Sequence, residues 1–128
     1  MAAAMFAWPS SRRMLMARLR SDAIERFGSR GLRATRVAAG NGEMQLTCLT
    51  LAAGGVIGTH PATGTQLLLV ITGEGWVAGP DGQRVPVSAG WGARWTDEEA
   101  HTSGTETGLA ALAVEGDALD LFRPPGPA

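Results

Sequence analysis

The sequence predicts an all-β protein, built as one antiparallel sandwich or barrel behind a short N-terminal helix. Its 128 residues suit a single compact domain. The 18 glycines and 7 prolines favour many tight turns, and from Leu32 onward short apolar segments are separated by Gly, Asn, Asp and Pro. With 45% hydrophobic and 18% charged residues, the chain can bury a core. This composition is typical neither of disordered chains nor of membrane-spanning proteins.

The order of the elements follows from local signals. Acidic residues after Ser21 and a stop at Gly28 predict a helix over 22–27. Turn residues 79–82 (Gly-Pro-Asp-Gly) predict a hairpin, and residues 40–42 (Gly-Asn-Gly) a second turn. Residues 67–71 are all apolar, without alternation between apolar and polar side chains. This pattern predicts a central strand covered on both faces, by a second sheet or by a partner subunit. The predicted strands cover residues 32–37, 44–51, 56–60, 66–72, 75–78, 84–87, 93–95 and 109–115.

Charge separates the N-terminus from the rest of the chain. Residues 1–36 hold eight arginines against two acids, a net charge of +6, whereas the remainder carries −7. We expect residues 1–20 to be a flexible basic arm, 21–122 a single barrel and 123–128 a loose Pro-rich tail. The arm has the composition of a transit peptide, although Met5, Met14 and Met16 are alternative starts. Basic residues confined to one end argue against nucleic-acid binding, and we expect no membrane attachment.

Cysteine usage places the chain in a reducing compartment. Cys48 is the only cysteine, so no internal disulfide exists, and we expect a cytoplasmic protein. Cys48 shares strand parity with Met44 and Leu46, which predicts a small buried hydrophobic residue rather than a reactive thiol.

The candidate site centres on the only two histidines, His60 and His101. Each lies at the boundary between a predicted strand and a turn-rich loop. In an extended strand residues two apart share a face, so His60 and Gln66 have the parity to face one cavity. Isolated histidines are more often surface or hydrogen-bonded residues than ligands, so their spacing carries the hypothesis.

That spacing resembles the two motifs of the cupin superfamily. The first cupin motif, Gly-x5-His-x-His-x3-Glu-x6-Gly, has the same gaps as Gly54-x5-His60-x-Ala62-x3-Gln66-x6-Gly73. The second, Gly-x5-Pro-x-Gly-x2-His-x3-Asn, matches only Gly90 and His101 in Gly90-x5-Thr96-x-Glu98-x2-His101-x3-Thr105. The resemblance covers about residues 32–116 and implies a cupin-type double-stranded β-helix, a jelly-roll barrel that is often a homodimer.

The resemblance also implies a divalent metal held by three histidines and one glutamate. Carried over by position, His60, Gln66 and His101 would be metal ligands, with Glu99 a further candidate that could restore a charge. Ala62 replaces the middle histidine and Gln66 replaces the carboxylate, so affinity for Fe, Ni, Mn or Zn should fall, and the protein could be metal-free. Within the sequence Asp97-Glu98-Glu99, however, Glu99 is more typical of a solvated acidic turn than of a ligand.

Two readings of the function stay open. In the first, the chain is a small-molecule enzyme in which His60 and His101 are catalytic, through a weakly held metal or by acid–base chemistry. In the second, it is a ligand-binding or sensing cupin that has lost its metal site. Trp91 and Trp95 have equal strand parity, so both could line the cavity and bind a flat substrate together with Gln66. Alternatively, both could be ordinary core residues.

Overall fold

The computed structural model describes residues 14–121, which fold almost entirely into β-strands joined by short turns. A single 3₁₀ turn, Arg26–Gly28, interrupts them within this range. The strands are β1 (Leu15–Arg18), β2 (Ser21–Ile24), β3 (Leu32–Thr35), β4 (Ala38–Leu51), β5 (Val56–Pro61), β6 (Thr65–Ala78), β7 (Arg84–Ser88), β8 (Trp91–Trp95), β9 (Ala100–Gly104) and β10 (Leu109–Leu121).

The long strand β6 joins two antiparallel layers. Its first half pairs with β8 and β10, within the strand order β1-β8-β6-β10-β4. Its second half pairs with β7 and β9, and β9 pairs in turn with β5. Gly73 lies where β6 passes from one layer to the other, at φ 83°, and a Cβ there would collide with the Gly108 carbonyl. This arrangement is a jelly roll, as the sequence predicts.

The core confirms that β6 is a central strand. Leu68 and Val70 pack with Trp95 in the larger apolar cluster, whereas Leu67 packs with Val114 in a smaller cluster on the opposite face. Both faces of this half of β6 are therefore covered within one chain, which explains the absence of alternation in its sequence. The predicted hairpin at residues 79–82 is also confirmed, because Ala78 pairs with Arg84 across it.

The predicted N-terminal helix is wrong. Residues 21–24 form β2, which pairs with β3 in a separate two-stranded sheet, and Phe27 takes a φ of 61° inside the following 3₁₀ turn. Arg33 bonds the Ser21 carbonyl and hydroxyl across the two strands, with its nitrogens 2.6 and 3.1 Å from these oxygens. The predicted helix would have had fewer than two turns, and so short a helix is marginally stable on its own. The pairing of β2 with β3 is therefore the more favourable structure.

Two boundaries also differ from the prediction. The basic arm was expected to extend to residue 20, but β1 pairs with β8 along its whole length and Leu19 is buried. Residues 1–13 and the Pro-rich tail lie outside the described residues. The predicted turn at residues 40–42 is instead part of β4, because β10 is long enough to pair with that segment.

Cys48 is exposed, contrary to the prediction that it is buried. It shares the outer face of β4 with Met44 and Leu46, which are 51% and 64% exposed. Strand parity grouped the three side chains on one face correctly, but at these positions of β4 that face is exposed to solvent rather than buried in the core. Residues 14–121 contain no helix of the length and hydropathy needed to span a membrane.

Candidate functional site

The pairing of β5 with β9 brings the two histidines together. His60 and His101 are direct cross-strand partners, so their side chains share one face of the sheet. A β-bulge separates the Ile57–Ser103 pair from the His60–His101 pair, which places an extra residue on β5. Bulges re-aim side chains, and this one lets Ile57 and His60 line the same cavity despite their opposite parity.

The two imidazoles are held in the same way. The ring centroids lie 4.3 Å apart with the planes tilted by 57°. His60 Nδ1 lies 2.7 Å from the Gly58 carbonyl oxygen, and His101 Nδ1 lies 3.2 Å from that of Glu99. Since a carbonyl oxygen only accepts, each Nδ1 carries the hydrogen in the neutral ring and each Nε2 carries the lone pair.

Neither Nε2 atom has a hydrogen-bond partner within residues 14–121. For His101 this matters most, because its side chain is only 2% exposed and its Nε2 is buried. Buried polar atoms are paired in the great majority of cases, so an unpaired nitrogen on a ring that lines a cavity is a candidate contact for a ligand atom. Two lone pairs on adjacent rings are therefore available for proton transfer or for ligand binding.

Both rings line one small cavity of about 230 Å³. Alternate residues of six strands contribute to its wall, as the period-two geometry of strands requires. The floor is apolar and includes Leu68 and Ala113. The volume lies below the usual range for drug-sized ligands, so the cavity suits a small molecule. The polar residues around it are Thr47, His60, Gln66, His101, Ser103 and Glu115.

Trp95 fixes the position of His101. Its side chain is fully buried, and its indole stacks on the His101 ring with centroids 4.4 Å apart and planes 20° from parallel. The pKa of His101 is lowered, chiefly because burial disfavours the charged ring, and the nearby His60 adds to this effect. The carbonyl of Glu99 and the carboxylate of Glu115 act in the opposite direction.

This lowered pKa predicts a pH-dependent loss of stability. As the pH falls below the ordinary histidine value of 6.5, the unfolded chain takes up a proton at residue 101 that the folded chain resists. The free energy of unfolding should fall through this window, by up to about 1.4 kcal/mol per pH unit, until the folded pKa is passed. Urea titrations between about pH 7.5 and 5.5 should show this component in the parent and lose it in His101→Gln. Equal slopes would contradict the burial of a neutral ring.

Gln66 lies between two other cavity residues. It pairs with Trp95 of β8 on one side and with Glu115 of β10 on the other, and it is buried. Neighbouring residues in register share a face, so the amide and the Glu115 carboxylate project toward the same space as the imidazoles. The structure thus brings together His60, Gln66 and His101, as the parity argument expects.

Glu115, Ser103 and Thr47 are cavity residues that the sequence analysis missed. Ser103 follows His101 by two residues, so period-two alternation would have indicated it had β9 been recognised as a strand. Glu115 ends the alternating stretch from residue 109, where a carboxylate follows a series of small apolar side chains on one face. Nothing in the sequence around Thr47, apart from its position in a predicted strand, indicated that it lines the cavity.

Two predicted site residues, Glu99 and Trp91, do not line the histidine cavity. One Glu99 carboxylate oxygen accepts hydrogen bonds from the amide and hydroxyl of Thr96, which closes a turn, and Glu99 is not part of the cavity wall. Trp91 lines a separate cleft with Trp76 and Glu106. Trp91 and Trp95 lie on the same face of β8, but they are four residues apart along the strand. Trp91 therefore lines the separate cleft, whereas Trp95 lines the histidine cavity.

Comparison with known structures identifies the architecture. A cupin superfamily protein from Desulfitobacterium hafniense DCB-2 superposes with a TM-score of 0.55 at 18% identity, over 79% of this chain and 99% of that one. An RmlC-like cupin from Shewanella frigidimarina gives a TM-score of 0.54 at 16% identity, over 88% and 89% of the two chains. The chain has the cupin fold. No family model and no curated protein matches the sequence.

An enzyme of known reaction shares this cupin fold. Salicylate 1,2-dioxygenase from Pseudoaminobacter salicylatoxidans superposes with a TM-score of 0.54 at 13% identity. The match covers 66% of this chain but only 28% of that one. At such identities the likeness describes the fold alone, and the reaction must be argued from the site.

The cupin motif positions do not supply a complete metal site in this chain. Ala62, at the place of the middle histidine, is 3% exposed and packs in the core cluster with Trp95. Residues 14–121 contain no cluster of three or more His, Cys, Asp or Glu side chains arranged to hold a metal ion. The motif positions supply two imidazoles and one amide without the third histidine and the carboxylate, and Glu115 does not complete a three-ligand group with the two histidines, so the set does not fit a tightly held divalent ion.

Proposed function

We propose that this cupin is a small-molecule enzyme that catalyses proton transfer on a carbonyl-containing substrate, with His101 as the base and His60 as its partner. One observation carries the proposal: two adjacent imidazoles, each bonded at Nδ1 to a backbone carbonyl, line one cavity, and the buried Nε2 of His101 has no hydrogen-bond partner among the described residues. The donor set for a divalent metal is incomplete within residues 14–121, so the proposed step depends on the protein's own side chains.

The elementary step is enolisation. His101 Nε2 accepts a proton from a carbon next to the carbonyl, so the C–H bond breaks and its electron pair forms the C=C bond of an enolate. Negative charge develops on the carbonyl oxygen, where the Gln66 amide N–H and the Ser103 hydroxyl are the available donors. Return of the proton to another atom gives an isomer, and no oxidant or reductant is needed.

The different exposure of the two rings supports separate roles. The lowered pKa keeps buried His101 neutral at neutral pH, so its Nε2 is free to accept a proton. His60 is exposed and can exchange protons with bulk water while remaining beside His101. Trp95 acts as a positioning residue, because it holds the His101 ring by stacking rather than by contact with the reacting atoms.

Hydrogen–deuterium exchange tests this proposal without knowledge of the natural substrate. Incubated in D₂O with a panel of small ketones, starting with hydroxyacetone, the protein should accelerate loss of the ¹H NMR signals next to the carbonyl. We expect His101→Ala to slow this by roughly a hundredfold or more and His60→Ala by less, consistent with the usual contribution of a general base.

His101→Gln is the matched variant, because it keeps a polar side chain of similar reach without a titratable ring. Thermal midpoints of all variants verify that the fold survives. If no member of the panel exchanges faster with the parent than with His101→Gln, the enzyme reading fails. Retained binding of a panel member without exchange would then favour the ligand-binding reading.

A further inference from the structure

The carboxylates beside the histidine cavity define the charge of its ligand. An outer cleft of about 590 Å³ is lined by Glu43, Gln45, Thr63, Glu115 and Asp117, among others. Glu115 also lines the inner cavity with the two histidines. The cleft and the cavity therefore share a wall, and a ligand in the cavity lies next to an acidic surface.

The charge balance of this region is entirely negative. Glu43, Glu115 and Asp117 contribute carboxylates, and no arginine from residues 14–121 lines either space. Arg94, on a neighbouring strand, is paired with Asp120 at 2.8 Å. A carboxylate or phosphate ligand would meet repulsion with no compensating cation, whereas an ammonium group would be attracted.

An independent observation indicates that a ligand belongs here. His101 is 98% buried, given its 2% exposure, and its Nε2 has no hydrogen-bond partner within the described residues although the ring lines the cavity. Gln66, buried beside it, adds an amide that can donate or accept. The cavity thus offers hydrogen-bonding groups at its inner end and negative charge at the outer end.

We propose that the substrate is a small organic cation, with an ammonium or similar group at Glu115 and an oxygen-bearing group at the imidazoles. This inference rests on the proposed function for the role of the oxygen-bearing end, but the charge preference can be tested separately. Half-buried Glu115 is the principal binding residue, because among residues 14–121 it alone lines both the cleft and the cavity. The exposed Glu43 and Asp117 increase the local concentration of cations at the opening.

Three probes of equal length and different charge test the preference. Protonated 3-aminopropanol, propane-1,3-diol and 3-hydroxypropanoate share a hydroxyl at one end and carry an ammonium, a hydroxyl or a carboxylate at the other. NMR titration of the His and Trp side-chain signals should show the ammonium probe binding about tenfold more tightly than the diol, with no saturable binding of the carboxylate. The preference should weaken as salt is raised.

Glu115→Gln should reduce affinity for the ammonium probe by about fivefold or more and leave affinity for the diol nearly unchanged. Glu106→Gln, which removes a carboxylate from the separate Trp91 cleft, is the matched control and should change neither. Equal affinity for all three probes, or tighter binding of the carboxylate, would overturn the inference. Such a result would not contradict the proposed proton-transfer activity. If instead the parent binds cations preferentially but does not catalyse hydrogen–deuterium exchange, only the proposed function is overturned.

Discussion

Replacing Trp95 by alanine is expected to destabilise the protein more than any other single truncation at the site. Its side chain is the largest fully buried one within residues 14–121, and it packs in the main core cluster. Truncation of a buried tryptophan removes burial and leaves a cavity, at a cost of about 3–5 kcal/mol. The His101 ring would lose its stacking partner and gain water, so its pKa should return upward toward 6.5. Urea unfolding and NMR titration measure the two effects.

Trp91→Ala is the matched control. Trp91 is on the same strand and packs against the same cluster, but it is half-buried and lines the other cleft. We expect a smaller loss of stability and an unchanged pKa for His101. Equal shifts of the His101 pKa in both variants would show that the change is transmitted by general loosening rather than by the stack.

Gln66→Glu is expected to create divalent-metal affinity. The buried Gln66 lines the same cavity as both imidazoles, so a carboxylate there places an anionic ligand at the position where the cupin motif has its glutamate. Zn²⁺, Ni²⁺ and Mn²⁺ should bind roughly tenfold more tightly or better than to the parent, because contact between a carboxylate and a dication exceeds the about 1.4 kcal/mol required. Calorimetric titration and metal-dependent thermal midpoints measure this gain.

Gln83→Glu carries the same charge change in the exposed turn after residue 82 and should give no gain. A second restoration, Ala62→His, is a poorer test, because the alanine methyl is buried in the core and an imidazole there would overpack it. If Gln66→Glu binds metal no better than Gln83→Glu, then residue 66 does not share the space between the histidines.

Local signals in the sequence predicted the β-rich regions, the central strand and the hairpin at residues 79–82. They failed where pairing between distant segments decides the structure. Strand β1 forms because Leu15–Arg18 completes the edge of β8, and the pattern of these four residues alone does not indicate this partner. β2 replaces a helix for the same reason, through its pairing with β3.

The site was predicted in part. The presence of only two histidines singled out His60 and His101, spacing within one segment related Gln66 to His60, and the cupin resemblance assigned all three to one site. Strand β9 was missed because Ala100–Gly104 is short and polar, and its burial comes from pairing with β5 and β6. Glu115 was missed because it is distant in sequence and enters the cavity only through the register of β10 against β6.

The nitrogen spectra of the two histidines test the central claim most directly. With only two histidines in the chain, long-range ¹H–¹⁵N NMR can be assigned from His60→Ala and His101→Ala alone. We predict the Nδ1–H tautomer for both neutral rings, a His101 pKa below 6.5, and a rise in that pKa when His60 is replaced. Nε2–H tautomers would contradict the bonds from Nδ1 to the backbone carbonyls, and a His101 pKa that does not change when His60 is replaced would contradict the contact between the two rings.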